Sequence, residues 1–456
     1  MDKKSHKFFG FGLAVVAALA IGLRLYHVNS PVADWHSWRQ SDTAAVARNF
    51  LRFGIDPLHP RYDDLSNIQS GKDNPMGWRM VEFPLYQAAG AGLAKTFPQL
   101  SLEIWLRLLT IAASVGTTIL LGRMAGLLPA FVFAVLPYSV YYGRTILPDP
   151  HMVFWAMLSL WLVSRRWTLL GGIAGALAML SKPMAVFLLL PIPYLLYMQS
   201  GFSKKTLFRL FSYSLIAFLP LVLWRRWIMQ FPEGIPVSSW LLNGNGIRFK
   251  GAWFHWLFAT RLGDLILGFW GLIPFGLGLV MSPNKKETWA FRWLGAGALL
   301  YLIIFASGNV QHDYYQILLV PVVAIFVGKG FRTMKPWIAI VSFLFMISFS
   351  WFTIRTYYWI NRPEIVEAGR VADAIIPKDA KVIASYNGDT TFLYQTGRQG
   401  WPLGFEIDKK IAMGATHYVT VSPSDHDGET KDLAARFTVL VRNEKFAIID
   451  LTRPKK

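Results

Sequence analysis

Residues 34–50 hold the side chains best suited to chemistry, because acidic, basic and aromatic residues alternate there over one short segment. From Ser37 onward the spacing predicts a helix. On that helix Asp42 shares a mostly apolar face with Trp38, Ala45, Val46 and Asn49. A carboxylate among apolar side chains at a membrane surface is costly unless it is paired or used, so Asp42 is a candidate site residue. A structural ion pair with Arg39, or a helix-capping role, is the alternative that the residues leave open.

A second acidic candidate is Glu82, in the sequence Glu82-Phe83-Pro84-Leu85-Tyr86. It stands just before an amphipathic stretch that runs to about Lys95 and predicts a helix. The structural alternative is an acid at a helix N-terminus, favoured there by the helix dipole, with Pro84 near the first turn.

Cations and aromatic residues lie at the ends of several apolar runs. Arginine binds phosphate through two parallel hydrogen bonds and lysine binds it as a point charge, so these cations are candidates for holding a phosphate. Such residues also snorkel toward lipid headgroups, which is the alternative for each one taken singly. The cations are Arg144, Lys182, Arg248, Lys250 and Arg261, and the neighbouring polar segment is His312-Asp313-Tyr314-Tyr315.

A divalent metal site is possible from donor types alone, because imidazole and carboxylate groups suit several such ions. The candidates are His36, His312 and Asp313, with Asp34 as a further donor, and their spacing is not diagnostic. The chain has no cysteine, which excludes disulfides and thiolate metal sites. It also lacks a phosphate-binding Walker loop, a dinucleotide fingerprint, an HExxH motif and a nucleophile elbow.

The composition places these residues in a membrane protein. Of 456 residues, 54% are hydrophobic and only 16% are charged, whereas a soluble globule is near a quarter charged. Apolar blocks of the length that crosses a bilayer recur through the first 360 positions. In a membrane protein, the placement of the positive charges behind the formal net charge of +19 indicates which loops face the cytoplasm. Nucleic acid is therefore not expected as a partner.

The pattern predicts a polytopic α-helical membrane protein with about eleven spans. Lys and Arg are concentrated in the short loops near residues 3–7, 123, 165–166, 204–209, 285–292 and 329–335. The positive-inside rule then puts the N-terminus in the cytoplasm. Residues 29–101, residues 229–263 and the tail after Arg362 are expected outside. The expected spans are 8–28, 102–122, 126–142, 152–165, 168–181, 184–199, 207–228, 264–281, 293–307, 315–328 and 336–356.

The tail has a different pattern, in which helical and strand-like runs alternate between Pro and Gly residues. It predicts a small extracytoplasmic α/β domain at 362–456, after a membrane domain at 1–361 that includes the outer loops. The expected helices are 364–376 and 432–437, and the expected strands are 381–385, 417–421 and 446–451.

Several segments together resemble the GT-C membrane glycosyltransferases, and more narrowly the family 39 group of protein mannosyltransferases and aminoarabinose transferases. The resemblance covers nearly the whole chain. The segments that carry it are Trp38-Arg39-Gln40-x-Asp42-Thr43, Ala47-Arg48-Asn49-Phe50, Glu82-Phe83-Pro84-Leu85-Tyr86, Leu147-Pro148-Asp149, His312-Asp313-Tyr314-Tyr315 and residues 393–401.

The resemblance implies an inverting enzyme that moves a hexosyl or pentosyl group from a polyprenyl-phosphate donor to an acceptor hydroxyl outside the membrane. A carboxylate of the first outer loop would act as general base and cations would hold the lipid phosphate. Relatives carry an Asp-Glu pair where this chain has Arg39-Gln40, which leaves Asp42, one helical turn on, as the preferred base and Asp34 as its rival. Glu82 is then implied in acceptor positioning or cation binding. The substrate-binding residues implied are Arg39, Gln40, Arg48, Arg144, Lys182, Arg261, His312, Asp313, Tyr314 and Tyr315.

Two other functions fit a polytopic chain. One is a transporter or lipid flippase, although the acids cluster outside the spans and no internal repeat is present. The other is a glycan ligase that uses a diphosphate-linked donor. The compact loops favour a bacterial inner membrane, and the acceptor candidates are lipopolysaccharide, another envelope glycan or glycolipid, and protein Ser or Thr.

Overall fold

The protein divides into two compact units, each made of separate stretches of chain. The computed structural model describes residues 3–281, 286–423 and 428–455, with side chains described from Lys7 onward and not at 286–288. The first unit comprises residues 1–28, 107–227 and 238–358, and the second comprises 29–106, 228–237 and 359–456. This division differs from the sequence boundary at residue 361, because the first outer loop belongs to the same unit as the tail. Part of the expected basic loop at 285–292 lies outside the described residues.

The described chain is mainly helical, with one small sheet. Short 3₁₀ segments occur at Pro232–Gly234, Asp313–Leu319 and Arg355–Tyr358, and a π-helical segment spans His255–Ile266. The α-helices are α1 (Lys3–Arg24), α2 (Ser37–Phe53), α3 (Leu85–Thr96), α4 (Leu102–Ala125), α5 (Leu127–Val135), α6 (Pro137–Tyr142), α7 (Asp149–Ser164), α8 (Thr168–Ser181), α9 (Ala185–Leu188), α10 (Ile192–Ser200), α11 (Lys204–Ile228), α12 (Trp240–Asn243), α13 (Gly251–Phe254), α14 (Leu272–Val280), α15 (Lys286–Ile304), α16 (Ala306–Gln311), α17 (Val320–Phe331), α18 (Pro336–Ile354), α19 (Pro363–Ile375), α20 (Thr390–Gln395), α21 (Ile407–Ala412) and α22 (Gly428–Arg436).

Five helical segments of the described chain are long and apolar enough to cross a membrane. Three shorter apolar helical segments accompany them, at Thr168–Ser181, Ala185–Ser200 and Trp289–Ile304. The helical membrane character is therefore confirmed, while the count of about eleven spans stays a prediction. The five segments are Lys7–Arg24, Leu102–Ala125, Lys204–Ile228, Asp313–Phe331 and Pro336–Ile375.

Prolines break two of the apolar runs that the sequence predicts as single spans. The run 126–142 forms α5 and α6, separated at Leu136, whose backbone is extended (φ −54°, ψ 121°) before Pro137. A proline disfavours helical geometry at the residue before it, which explains the break. The run 184–199 likewise forms α9 and α10, with Pro191 as the N-cap of the second helix.

Glycines allow α14 and α17 of the first unit to approach each other closely. A Cβ atom added at Gly330 would lie 1.7 Å from the carbonyl oxygen of Pro274, and one added at Gly278 would lie 1.9 Å from that of Phe326. Small residues at such positions let helix backbones pack in a lipid environment, where packing is a main source of helix association.

Gly330→Ala is expected to destabilise the protein by roughly 1–3 kcal/mol, because the new methyl group overlaps the α14 backbone. A lowered apparent melting temperature of the purified protein in detergent measures this effect. Gly276→Ala is the matched control on α14, since nothing lies within 4 Å of its Cβ position. Equal melting temperatures for the two variants would contradict the close-packing argument.

The second unit contains a five-stranded sheet with the order β2-β1-β3-β5-β4. β1 pairs in parallel with β2 and β3, and β5 pairs antiparallel with β3 and β4. The predicted strands at 381–385, 417–421 and 446–451 and the predicted helices near 364–376 and 432–437 are confirmed. The edge strands β2 and β4 were not predicted. The strands are β1 (Lys381–Ser385), β2 (Gln399–Trp401), β3 (Ala415–Thr420), β4 (Phe437–Arg442) and β5 (Ala447–Pro454).

The first outer loop is attached to this sheet through β2. The backbone N–H of Gly400 donates to Asp63 O, and the N–H of Leu65 donates to Gly400 O, each at 2.8 Å. Asp64 forms a parallel bridge with Gly400 between them. Residues 63–65 therefore continue the sheet by one short pairing, which fixes where the acidic side chains of this loop lie.

Candidate active site

Asp42 lies on α2 of the second unit, buried to 1% exposure and surrounded by hydrogen-bond donors. Its Oδ2 atom is 2.8 Å from Nη2 of Arg79, and Gln69 Nε2 donates to the same oxygen at 3.4 Å. Its Oδ1 atom accepts a hydrogen bond of 2.7 Å from the Thr390 hydroxyl. We call Asp42, Arg79, Gln69 and Thr390 the Asp42 cluster. The predicted helix that carries Asp42 is confirmed, but the partner is Arg79 and not Arg39.

The Asp42 cluster is held by groups from three separate parts of the unit. Arg79 donates to the amide oxygen of Gln69, and its guanidinium lies 5.0 Å from the centre of the Tyr62 ring. A carboxylate offers about four lone-pair positions to donors. Asp42 accepts two hydrogen bonds and pairs with Arg79, so among the described residues one lone pair of Oδ1 has no donor, and the side chain itself is fully enclosed.

Asp64 is a second buried carboxylate near this cluster, with 1% of its surface exposed. Burial raises its pKa from 3.8 to about 6, hydrogen bonds from Ser66 oppose the rise, and the negative charge of Asp42 adds to it. The Ser66 backbone N–H donates to Asp64 Oδ1 at 2.8 Å. The protonation of this group therefore changes around pH 6, well above the range of an ordinary aspartate.

Glu82 and Asp34 each bind a neighbour from the same unit. Nη2 of Arg39 lies 2.9 Å from both carboxylate oxygens of Glu82, and both side chains are buried. Gln87 Nε2 also donates to Glu82 at 3.2 Å. Asp34 Oδ1 accepts a hydrogen bond of 2.7 Å from Gln40 Nε2. The predicted helix after Glu82 is confirmed as α3.

Arg48 ties α2 to the tail segment of the same unit. Its Nη2 atom pairs with Asp63, its Nη1 atom donates to the carbonyl oxygen of Tyr394 at 2.9 Å, and its guanidinium lies 4.0 Å from the centre of the Tyr394 ring. These three contacts account for Arg48 as a residue that holds the unit together. Its predicted role in substrate binding stays a prediction.

In the first unit, Lys182 and Asp149 form a buried ion pair with Nζ to Oδ1 at 2.7 Å. The ammonium group also lies 5.1 Å from the centre of the Tyr314 ring and 4.9 Å from that of the Tyr315 ring. The Oδ2 atom of Asp149 is buried with no hydrogen-bond partner among the described residues. We call these four residues the Lys182 cluster.

Asp313 precedes Tyr314 of this cluster in the sequence, and its carboxylate accepts hydrogen bonds from tyrosine hydroxyls. Its two carboxylate oxygens accept from Tyr142, at 2.8 Å, and from Tyr357. Its backbone oxygen accepts from Tyr138 at 2.6 Å. This arrangement joins the end of α6 to the 3₁₀ segment at Asp313–Leu319.

The other predicted residues of the first unit make separate contacts. Arg144 is fully buried, donates to His27 O at 3.3 Å and stacks on the Tyr141 and Tyr358 rings. The His312 ring packs edge to face with Trp240, with 5.7 Å between ring centres. The remaining three cations each contact backbone oxygens. Arg261 Nη2 donates to Val310 O, and Arg248 Nη2 donates to Leu242 O and Ile304 O. The backbone N–H of Lys250 donates to Ile247 O.

The predicted metal donors do not gather into one site. Within the residues that the structure describes, no group of three or more His, Asp or Glu side chains has the arrangement of a metal site. His36 belongs to the second unit, whereas His312 and Asp313 belong to the first. The Asp313 carboxylate is moreover engaged by two tyrosine hydroxyls, so the donors present do not fit a metal ion.

Sequence reasoning missed the partners of Asp42 and the burial and raised pKa of Asp64. Thr390 is 348 residues from Asp42 along the chain, and Gln69 is 27 residues away. No local periodicity links residues so far apart. One signal was present, since Arg79 lies three positions before Glu82 in a segment whose motif had already been singled out.

Comparison with known proteins shows that solved structures share the fold of this chain. No protein-family model and no curated protein sequence matches the chain. The crystal structure of ArnT from Cupriavidus metallidurans bound to undecaprenyl phosphate matches with a TM-score of 0.65, at 11% identity and over 98% of both chains. The apo crystal structure of the same ArnT matches with a TM-score of 0.63, at the same identity and coverage. The chain has the fold of ArnT.

The ArnT likeness extends over nearly all of the chain, so it includes both the helical first unit and the sheet of the second unit. The GT-C type of fold predicted from the motif segments is thereby confirmed. The motifs that suggested it contain Asp42, Glu82, Asp149 and Asp313, and each of these acids is buried and hydrogen-bonded.

The raised pKa of Asp64 predicts that its contribution to the stability of the protein falls as the pH rises. The pKa of Asp64 is raised to about 6 in the folded protein. The stability that this group contributes is therefore fully present at a pH below the pKa of the unfolded chain, and it is lost as the pH rises through about 6. The loss is on the order of 3 kcal/mol. Asp64→Asn carries no titrating group, so its apparent melting temperature relative to wild type is expected to rise between about pH 4 and pH 7.

Asp450→Asn is the control with the opposite sign. Partial burial raises the pKa of Asp450, but hydrogen bonds from Thr452 outweigh it and the net shift is downward. This variant therefore loses stability relative to wild type as the pH rises toward about 4, and above pH 4 the difference between the two stays constant. A pH profile for Asp64→Asn that runs parallel to wild type would refute the raised pKa.

Lys182 and Asp149 are expected to be strongly coupled. Lys182→Met leaves a buried carboxylate without its cation and should cost about 3–5 kcal/mol of stability. Adding Asp149→Asn removes the stranded charge, so the double variant should be more stable than Lys182→Met alone. Apparent melting temperatures of the two single variants and the double variant measure the coupling, and simple additivity would argue against the ion pair.

Proposed function

We propose that the protein is a membrane glycosyltransferase that transfers a sugar from a polyprenyl-phosphate donor to an acceptor hydroxyl. The observation that carries the proposal is a likeness to ArnT over 98% of both chains, combined with a buried carboxylate on the helix where the family resemblance implies the base. The matched ArnT crystal structure contains undecaprenyl phosphate, which supports a lipid phosphate as the donor carrier.

Asp42 is proposed as the general base. It would take the proton of the acceptor hydroxyl as that oxygen attacks the anomeric carbon, and the bond from this carbon to the phosphate oxygen breaks with inversion. The open lone-pair position on Oδ1 suits this role, because Arg79 and Thr390 already hold the carboxylate in one orientation. Asp34 is the alternative base, although its Oδ1 atom is engaged by Gln40.

The leaving phosphate needs positive charge that is in place before the reaction begins. Arg144, Lys182 and Arg261 of the first unit are proposed to supply it. Arg144 is held by aromatic rings and a carbonyl oxygen, and Lys182 by Asp149 and two tyrosine rings. Both are thereby oriented at little further entropic cost.

The reaction is proposed to occur outside the cytoplasmic membrane of a bacterial cell. The contacts within the first unit support this topology. Lys182 and Asp149 of the expected outer loops contact each other, and Asp313 of an outer loop contacts Tyr142 at the expected outer end of a span. Arg209 of the expected cytoplasmic loop at 204–209 likewise contacts Thr168, which begins an expected span at its cytoplasmic end.

Asp42→Asn is expected to reduce sugar transfer by about 10²–10⁴-fold, the usual effect of losing a general base. The test compares surface glycans and glycolipids by mass spectrometry in cells that lack the gene and carry wild type or variant. Wild type should restore one defined sugar, and Asp42→Asn should not.

Stability must be separated from chemistry in this test, because the substitution also weakens the pair with Arg79. Transfer by the purified variant is therefore measured below its own melting temperature. Asp450→Asn is the isosteric control and should keep full transfer. Full transfer by Asp42→Asn would remove Asp42 from the chemistry, and an unchanged glycan profile on deletion of the gene would argue against a transferase.

A further inference from the structure

An open cleft of about 850 Å³, its mouth included, lies in the first unit and takes no part in the proposed reaction. Its walls come from four helices, α4, α7, α10 and α15, together with the residues that follow α7. We call it the basic cleft. The residues that define it are Arg123, Leu160, Trp161, Arg165, Leu195 and Phe291.

Two cations line the basic cleft, and two more contact residues in or near its wall. Arg123 and Arg165 line it directly, and the ammonium group of Lys329 lies 4.5 Å from the centre of the Phe291 ring. The guanidinium of Arg332 packs against Gly126, three residues after Arg123. Among the described residues, no Asp or Glu forms a salt bridge with any of these cations. An anion in the cleft would therefore lower the mutual repulsion of several like charges.

Trp161, which also lines the cleft, adds a hydrogen-bond donor to this charge. Its indole Nε1 atom is buried and has no hydrogen-bond partner among the described residues. The guanidinium of Arg165 lies 5.8 Å from the centre of the same ring. A buried donor without a partner carries a free-energy penalty, which an acceptor oxygen in the cleft would remove.

Cations at the ends of helices are common, and Arg123 and Arg165 also lie where they favour the C-terminal dipoles of α4 and α7. That role explains each arginine singly. It does not explain why the two arginines line the same cleft, or why that cleft also has apolar walls and an N–H group without an acceptor among the described residues. A ligand with an anionic head and an apolar body matches all three features.

We propose that the basic cleft binds the phosphate headgroup of an anionic phospholipid, with an acyl chain along its apolar wall. Arg123 and Arg165 would contact the phosphate oxygens and Trp161 would donate to one of them. The loops that meet here are those that the charge pattern assigns to the cytoplasm. Basic pockets between membrane helices on that side are typical binding sites for anionic lipids.

The experiment uses the full-length protein in detergent and native mass spectrometry with added phosphatidylglycerol. Wild type is expected to retain it more tightly than phosphatidylcholine with the same acyl chains. Arg123→Gln/Arg165→Gln should weaken retention by about tenfold or more, as the loss of charge-assisted hydrogen bonds predicts. Trp161→Phe keeps an aromatic ring without the N–H group and should weaken it several-fold.

Lys204→Gln/Lys335→Gln is the matched control, because it removes the same charge from two exposed positions of the same predicted face. It should leave retention of phosphatidylglycerol unchanged. Melting temperatures of all variants establish that they are folded.

Equal retention of phosphatidylglycerol and phosphatidylcholine would overturn the proposal, as would an equal loss in the control variant. Two further probes identify the source of the phosphate. Preferential binding of a polyprenyl phosphate that Arg123→Gln/Arg165→Gln abolishes would assign the cleft to the donor class and overturn the phospholipid assignment. Stabilisation by inorganic phosphate as large as that by phosphatidylglycerol would overturn a lipid ligand.

Discussion

Ionised side chains buried in a chain with few charges need partners, because an isolated charge in a low-dielectric interior costs several kcal/mol. Asp42 is satisfied by Arg79 and Thr390, and Glu82 by Arg39. The same requirement brings Lys182 and Asp149 together in the other unit. Each pair fixes two distant segments of chain against each other.

The same pairing restricts what the acids can do in catalysis. A base must be held in one orientation and still keep a site for the proton that it accepts. Asp42 meets both conditions, since three donors hold it and one position on Oδ1 stays open. Glu82 is engaged on both of its oxygens by Arg39, which suits a positioning role better than proton transfer.

Four cations of the first unit have two different kinds of surroundings. Lys182 and Arg144 are buried among tyrosine rings and, for Lys182, beside a carboxylate. Arg123 and Arg165 line an open cleft with apolar walls and have no acidic partner among the described residues. The first arrangement holds a cation rigidly, as a catalytic phosphate site needs, whereas the second leaves its charge available to an anion.

The sequence by itself determined the membrane class, the helix that carries Asp42, the helix after Glu82 and three of the five strands, because local periodicity and charge placement decide these features. It also suggested the fold, through a resemblance carried by motif segments, and the ArnT likeness confirms that fold. Only the tertiary structure decided which charges pair. Asp42 meets Arg79 and Thr390 because residues 63–65 extend the sheet at Gly400 and bring the loop to the tail, a long-range pairing that no local pattern encodes. The two edge strands likewise followed from context, since short strands take their conformation from what they pack against. The breaks at Pro137 and Pro191, in contrast, coincide with prolines that are visible in the sequence.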